Sequence, residues 1–207
     1  MADILKQQTI RQPLAPTLGD AVPKRGNRLT KAIALFFLWI TGWRIVGEVP
    51  NVPKLVVIAA PHTSYWDFFL AMMVVFSLGI RIEIMGKASL FNYRPLAAIL
   101  YWAGVFPIRR TPAKSMVEIA AESMNGRKQI FLGLSPEGTR KKVAQWRTGF
   151  YHIAQKTNLA ILPIQLDFGR KTVFIHPPCT PTGKMEQDMQ KIKAYFHDAI
   201  GKHAEKF

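Results

Sequence analysis

Cysteine and acidic residues are both scarce in this 207-residue sequence. The single cysteine, Cys179, excludes a disulfide framework and a thiolate metal site within one chain. Asp and Glu number 13 against 28 Lys and Arg, so the net charge is +15 at pH 7. The 49% share of hydrophobic residues excludes a disordered or low-complexity chain. A chain this basic is expected to bind polyanions, which leaves nucleic acid, an anionic membrane surface and acidic ligands as alternatives.

Long hydrophobic runs are missing as well. Residues 1–28 carry scattered Pro and Gly and predict an irregular basic tail. Residues 29–46 predict a helix whose uninterrupted apolar part, 32–40, is too short to cross a hydrocarbon layer of about 30 Å. Tryptophans and flanking cations favour a helix that lies in the membrane surface: Lys31, Trp39, Trp43 and Arg44. The alternative is a helix that packs against the rest of the domain.

Beyond residue 46, short β-branched segments alternate with longer segments of helical character. The predicted strands are 55–60, 81–85, 105–108, 129–134, 160–167 and 172–176. The predicted helices are 66–78, 96–103, 113–124, 148–155 and a final amphipathic helix from Met185 to Ile200. The alternation predicts an α/β fold, with a single domain over residues 47–207 and a mixed, largely parallel sheet flanked by helices.

Polar residues cluster directly after the first predicted strand. His62 follows this strand, and Asp67 lies on the first turn of the next predicted helix. Ligands of open α/β sheets bind at the carboxyl ends of the strands, and a histidine oriented by an aspartate can act there as a general base. A plain helix cap or a metal site would explain the same two residues, so these alternatives stay open.

Basic residues and a glycine turn follow two further predicted strands. Arg109 and Arg110 follow the third strand, and Glu137, Gly138 and Arg140 follow the fourth. Guanidinium groups bind phosphate with two hydrogen bonds, so converging arginines favour a phosphate ligand. A carboxylate is a poor phosphate ligand, so Glu137 is expected to accept a hydrogen bond from a hydroxyl group or to anchor an arginine.

Taken in order, these blocks resemble the motifs of the glycerolipid acyltransferases of the lysophosphatidic acid acyltransferase family. The pattern His-x-x-x-x-Asp is met by His62 and Asp67, and Pro-Glu-Gly-Thr-Arg is met by residues 136–140. The other matches are Gly104, Pro107, Ile108 and Arg110 to the second motif, residues 162–164 to the fourth, and Lys87, Leu90 and Phe91 to a lysine and Leu-Phe pair before the second. The resemblance spans residues 55–167.

The resemblance implies an O-acyltransferase in which a lipid hydroxyl attacks the thioester of acyl-CoA or of acyl-carrier protein directly. It implies no bound cofactor, no metal and no covalent acyl-enzyme. His62 is then the general base, and Asp67 holds its ring in the required tautomer. Backbone N–H groups at the start of the helix after His62 are expected to stabilise the oxyanion. The implied substrate-binding residues are Lys87, Arg110, Glu137, Gly138, Thr139 and Arg140, with the two arginines on the acceptor's phosphate.

Three departures from the family's motifs bear on the acceptor. Pro61 replaces an asparagine, Ser135 replaces a phenylalanine, and Lys141-Lys142 stand where many members have serine. The implied partners are a 1-acylglycerol-3-phosphate-like lysophospholipid, an acyl donor and an anionic membrane surface, without nucleic acid. The implied location is peripheral or monotopic, on the cytoplasmic face of the cell membrane. The alternatives from other classes are an acyl-thioester hydrolase and a non-catalytic module that binds phosphate or nucleic acid.

Overall fold

The computed structural model describes residues 18–108 and 115–203. Its strands form one seven-stranded sheet: β1 (Arg44–Val46), β2 (Lys54–Ala60), β3 (Ile82–Lys87), β4 (Val105–Ile108), β5 (Ile130–Leu134), β6 (Ile161–Asp167) and β7 (Thr172–Ile175). The spatial order is β1-β7-β6-β2-β5-β3-β4. Strands β2 to β6 are parallel, β7 is antiparallel to β6, and β1 is parallel to β7. The predicted α/β fold with a largely parallel mixed sheet is confirmed.

Six α-helices lie within the described residues: α1 (Arg28–Thr41), α2 (Tyr65–Leu78), α3 (Arg94–Ala103), α4 (Met116–Asn125), α5 (Gly149–Thr157) and α6 (Met185–Ala194). Capping boxes fix where three of them begin, because a side chain at the N-cap and one three residues later each bond the other's backbone N–H. The N-caps are Asn27, Ser64 and Ser115.

Alternation along the central strands divides the hydrophobic core into two layers. On β2, Leu55 and Val57 face a cluster with α1 and α2, whereas Val56 and Ile58 face a cluster with α4, α5 and α6. Helix α3 joins the first side, because Ala103 packs with residues of α1 and α2. Helices α1, α2 and α3 therefore cover one face of the sheet, and α4, α5 and α6 cover the other.

The N-terminal helix is shorter than the sequence predicts. It ends at Thr41, where Gly42 adopts a left-handed conformation (φ 74°) that only glycine tolerates well. Trp43 then packs into the core, edge-on to Phe168 with ring centroids 5.0 Å apart. Residues 44–46 form β1, so the predicted helix over 29–46 is wrong in its last five residues, and Trp43 does not face a membrane surface.

The ends of the chain also differ from the prediction. Residues 18–27 contain no helix or strand, as expected for the tail, but Val22 is buried and Arg25 N donates to Gly79 O at 2.9 Å. Residues 1–17 of the predicted tail lie outside the described residues, and its last residue, Arg28, begins α1. Helix α6 ends at Ala194 rather than at Ile200, because a turn at Tyr195 redirects the chain and buries Phe196.

Helix α1 has one buried face and one exposed face. Ala34 and Leu38 are buried against the domain, whereas Ile33, Trp39 and Ile40 are exposed. The predicted packing against the domain is therefore confirmed for one face, and placement of the other face in a membrane surface stays a prediction. Among the described residues, no helix has the length and apolar character that crossing a membrane would require.

Adjacent residues of α1 offer a matched test of these two faces. Leu38 is 1% exposed and Trp39 is 66% exposed. We expect Leu38→Ala to lower the free energy of unfolding by about 3 kcal/mol, because it leaves a cavity in the core. Trp39→Ala should change it by no more than about 0.5 kcal/mol. Urea unfolding followed by circular dichroism measures both, and equal losses would contradict the assignment of the faces.

Candidate active site

The turn between β2 and α2 is organised by the buried carboxylate of Asp67. Its Oδ2 accepts the backbone N–H groups of Thr63 at 2.6 Å and of Ser64 at 2.7 Å. The same oxygen lies 3.4 Å from His62 Nδ1. Asp67 is 1% exposed, whereas a quarter of the His62 side chain is open to solvent. The carboxylate thus directs one ring nitrogen of His62 and leaves Nε2 available on the open side.

Glu137 restrains the same histidine from the neighbouring strand. Strands β2 and β5 are paired with Ile58 opposite Leu134, so the segments that follow them leave the sheet side by side. Glu137 Oε1 accepts the backbone N–H of His62 at 2.8 Å. Burial raises the pKa of Glu137 to about 7, against the opposing effect of this hydrogen bond. No arginine pairs with Glu137 among the described residues, so its expected role as an arginine anchor is not supported there.

Three buried polar atoms have no hydrogen-bond partner within the part of the chain that the structure describes. They are Asp67 Oδ1, Ser135 Oγ and Glu137 Oε2. Buried polar groups are nearly always paired in folded proteins, and leaving one unpaired costs about 1–3 kcal/mol. All three belong to the two segments that meet at His62. Unsatisfied polarity is therefore concentrated at this site, as expected where a ligand completes the hydrogen bonding.

An apolar cavity of about 200 Å³ opens at the same place. It extends between α2 and the sheet, and its walls are the side chains of residues such as Val57, Val75, Phe131 and Leu162. The polar side chains in its lining are those of His62, Asp67 and Ser135. The cavity was not anticipated from the sequence, because the apolar residues of α2 and of the strands have the pattern of an ordinary core.

The loop after β5 presents a cation beside the start of α2. The Arg140 guanidinium lies 3.8 Å from the centroid of the Tyr65 ring. Gly138 has φ 66°, and a Cβ there would come within 2.7 Å of Arg147 Cδ. Thr139 Oγ1 accepts the backbone N–H of Lys141 at 3.3 Å. The stacked, exposed Arg140 is available to a phosphate group, and the tyrosine beneath it was not singled out from the sequence.

Not every predicted substrate-binding residue can be placed. Lys87 is the last residue of β3, so its backbone is at the edge of the sheet where β2 and β5 end. Arg110 lies outside the described residues. His62, Asp67, Glu137, Gly138, Thr139 and Arg140 belong to the two segments that the pairing of β2 and β5 brings together. Among the described residues, no group of three or more His, Cys, Asp or Glu could hold a metal ion.

The expected oxyanion donors are engaged elsewhere. The N–H groups of Thr63 and Ser64 bond Asp67, and the N–H of Trp66 bonds Ser64 Oγ at 3.2 Å. The N–H of His62 bonds Glu137. The turn itself uses these four N–H groups, and the role of backbone N–H groups at the start of α2 in stabilising an oxyanion stays a prediction.

Comparison with known proteins identifies relatives of the chain. The sequence model of the family described as Acyltransferase matches residues 45–167. One similar protein is the 1-acyl-sn-glycerol-3-phosphate acyltransferase BAT2, chloroplastic, of Brassica napus, which is 24% identical over 143 residues, 67% of this chain and 40% of its own length. Another is LPAT1, chloroplastic, of Arabidopsis thaliana, which carries the same enzyme name and is 28% identical over 123 residues, 58% of this chain and 33% of its own length. The chain thus spans less than half the length of these two relatives.

A solved structure shares the fold. The crystal structure of the 1-acyl-sn-glycerophosphate (LPA) acyltransferase PlsC from Thermotoga maritima superposes with a TM-score of 0.56 at 19% sequence identity. The alignment covers 81% of this chain and 75% of that one. At this level of identity, the superposition supports the α/β architecture described above.

The raised pKa of Glu137 predicts a measurable pH dependence of stability. Between its ordinary value of 4.5 and about 7, the folded chain holds a proton that the unfolded chain releases, so stability falls as pH rises through this window. Glu137→Gln mimics the protonated form and removes this loss. We expect the variant to gain on the order of 1 kcal/mol relative to wild type when the pH is raised from about 5 to about 8.

Urea unfolding of both proteins at the two pH values measures this difference. Glu48→Gln, which removes an exposed carboxylate, controls for the change in net charge. A Glu137→Gln difference that is the same at both pH values would contradict the raised pKa.

Proposed function

The chain belongs to the Acyltransferase family, and from that premise we propose that it transfers a fatty acyl group from a thioester donor to the hydroxyl group of a lysophospholipid. The donor is acyl-CoA or acyl-carrier protein, and the acceptor is of the 1-acylglycerol-3-phosphate type. The observation that carries this proposal is the position of His62 and Asp67 at an apolar cavity large enough to receive part of an acyl chain. The names of the relatives agree with it.

In this proposal, His62 transfers the proton and Asp67 orients the imidazole ring of His62. Asp67 Oδ2 keeps the Nδ1–H tautomer, so Nε2 accepts the proton of the acceptor's hydroxyl group. The hydroxyl oxygen attacks the thioester carbon, and the tetrahedral intermediate expels the thiolate, which takes the proton back from His62. Glu137 fixes the backbone of His62 through Oε1 and leaves Oε2 to accept a glycerol hydroxyl group.

The two substrates would meet at His62 from different sides. The acyl chain would extend into the apolar cavity under α2, where burial of methylene groups contributes about 0.8 kcal/mol each. Arg140 on Tyr65 would bind the acceptor's phosphate, and Arg110 is expected to assist it by the family resemblance. Gly138 and Thr139 shape the turn that presents Arg140.

A membrane surface is the proposed site of action. Large exposed apolar side chains concentrate on α1, α2 and α3, which all cover the same face of the sheet: Ile33, Trp39, Trp66, Phe69, Ile99 and Trp102 are examples. Exposed tryptophans beside a strongly basic chain suit an anionic leaflet, where each Lys or Arg near the surface contributes about 1 kcal/mol. We propose that this three-helix face inserts shallowly into the cytoplasmic leaflet and brings the acceptor to the active site.

Removal of the imidazole should abolish most transfer. We expect His62→Ala to lower kcat by at least about 100-fold, the usual contribution of a general base. His152→Ala, which removes an exposed histidine on α5, should leave kcat unchanged. Mass spectrometry of the lipids formed from acyl-CoA and a panel of lysolipids measures both. Activity of His62→Ala within about tenfold of wild type would contradict the general-base role.

The same assay separates the alternatives. A hydrolase would release free fatty acid at the same rate with and without lysolipid. A non-catalytic binding module would consume no thioester, and its salt-sensitive binding of phosphate or nucleic acid would survive His62→Ala. Formation of an acylated lipid that depends on His62 is the outcome that supports the proposed transfer.

The three-helix face can be tested one helix at a time. Trp39→Asp on α1 and Ile99→Asp on α3 should each lower the fraction bound to vesicles at least about tenfold, because each removes apolar insertion and adds a charge repelled by the leaflet. Met185→Asp places the same charge on α6, on the other face of the sheet, and should bind as wild type does. Sedimentation with vesicles containing about one third phosphatidylglycerol measures binding.

Soluble short-chain acceptors provide the control for folding. Both variants should acylate such acceptors at close to the wild-type rate, since neither Trp39 nor Ile99 lines the cavity at His62. If either helix variant bound vesicles as strongly as wild type does, the assignment of that helix to the membrane surface would be wrong.

A further inference from the structure

Ser135 continues the side of β5 that faces the apolar cavity. Side chains alternate along a strand, so residues 131, 133 and 135 share one face. Phe131, Gly133 and Ser135 all line the cavity, whereas Leu132 packs in the opposite core layer. Gly133 has no room for a side chain, since a Cβ there would come within 2.8 Å of Ile82 Cγ2. Ser135, the residue directly after β5, therefore lines the same opening as His62.

The Ser135 hydroxyl group is a hydrogen-bond donor without a use in the described structure. Its Oγ is buried and has no partner among the described residues. The other two polar side chains at the cavity, His62 and Asp67, are directed at each other and at the turn. Leaving a buried hydroxyl group unpaired is unfavourable by about 1–3 kcal/mol. Among the polar side chains that line the cavity, Ser135 is thus the one with an unpaired hydroxyl group available to donate a hydrogen bond to a bound ligand.

Acyl transfer needs such a donor at the carbonyl oxygen. When the acceptor's oxygen attacks the thioester carbon, the carbonyl oxygen gains negative charge, and a donor positioned at this oxygen stabilises the transition state. The N–H groups of His62, Thr63, Ser64 and Trp66 are already engaged in the turn. The loop that supplies the base therefore does not supply these donors to the oxyanion.

We propose that Ser135 donates a hydrogen bond from Oγ to the thioester carbonyl oxygen and stabilises the oxyanion that forms there. The proposal rests on the proposed acyl transfer. The new ester C–O bond forms, the C–S bond breaks, and His62 carries the proton from the acceptor's hydroxyl group to the departing thiolate. Ser135 keeps its own proton throughout. Its role is that of a catalytic residue that contacts a reacting atom but is not acylated.

The residue is a distinguishing feature of this chain. In the motif that the sequence resembles, a phenylalanine precedes Pro-Glu-Gly-Thr-Arg, and this chain has Ser135 at that position. A phenyl ring fills apolar space but donates no hydrogen bond of this kind. The exchange therefore adds a donor where the strand meets the cavity.

Kinetics of matched serine variants test the proposal. Ser135→Ala should lower kcat about 100-fold, the usual loss for one oxyanion donor, and should change the donor KM by no more than about twofold. Ser135→Thr keeps a hydroxyl group and should retain activity within about tenfold of wild type. Ser77→Ala removes another buried hydroxyl group, one that donates to Val74 O on α2 and does not line the cavity. It should leave kcat unchanged.

A spectroscopic measurement tests the contact without turnover. Difference infrared spectra of acyl-CoA labelled with ¹³C at the thioester carbonyl, bound without acceptor, should show the band at lower wavenumber in wild type than in Ser135→Ala. The His62→Ala variant should keep the wild-type band, because its donor at the carbonyl is intact. Identical bands in wild type and Ser135→Ala, or a kcat of Ser135→Ala within about threefold of wild type, would overturn the proposal.

Two further outcomes are distinguishable. Acylated Ser135 in the mass spectrum of the intact protein would also overturn the proposal, since the hydroxyl group would then be a nucleophile. A wild-type protein that forms no acylated lipid would disprove the proposed function. A band shift that depends on Ser135 in such a protein would still support the contact with the thioester.

Discussion

The arrangement of the site depends on one buried carboxylate. Asp67 Oδ2 accepts two backbone N–H groups of the turn after β2, lies 3.4 Å from His62 Nδ1, and belongs to the residue that completes the capping box of α2. The start of the helix and the orientation of the histidine are therefore set by the same oxygen. The N–H groups of Thr63, Ser64 and Trp66 are engaged in this turn, so the oxyanion donor proposed here comes from the neighbouring segment after β5.

The pairing of β2 with β5 brings a second segment of the chain beside His62. Because Ile58 lies opposite Leu134, the segments that follow the two strands leave the sheet side by side. Glu137 can therefore accept a hydrogen bond from the backbone N–H of His62. Ser135, which directly follows β5, lines the cavity under α2. Alternation along the central strands divides the helices, so that the cavity lies on the face covered by α1 and α2, which also carry the exposed aromatic side chains. The proposed membrane-contacting surface and the proposed acyl site are consequently on one side of the sheet.

Elements with strong local signals were predictable from the sequence. The strand at 55–60 and the helix at 66–78 differ from β2 and α2 by a residue at one end, because β-branched runs and capping residues mark them. Trp43 was misassigned because its contact with Phe168 decides its position, and that residue is distant in sequence. His62 and Asp67 could be identified because they match the first motif of the family that the sequence resembles. The engagement of the turn's N–H groups could not, since it depends on the conformation that Asp67 imposes.

Two carboxyl groups restrain His62 from opposite ends, and their surroundings differ. Asp67 accepts two backbone N–H groups and faces the imidazole ring. Glu137 accepts one N–H group and is otherwise buried without a partner for Oε2, and its pKa rises to about 7. Near neutral pH, Glu137 therefore exchanges a proton while its Oε1 still holds the backbone of His62. A hydroxyl group bound at Oε2 would favour the ionised form, so binding of an acceptor there would lower the pKa of Glu137 and strengthen its hydrogen bond to the backbone of His62, the proposed general base.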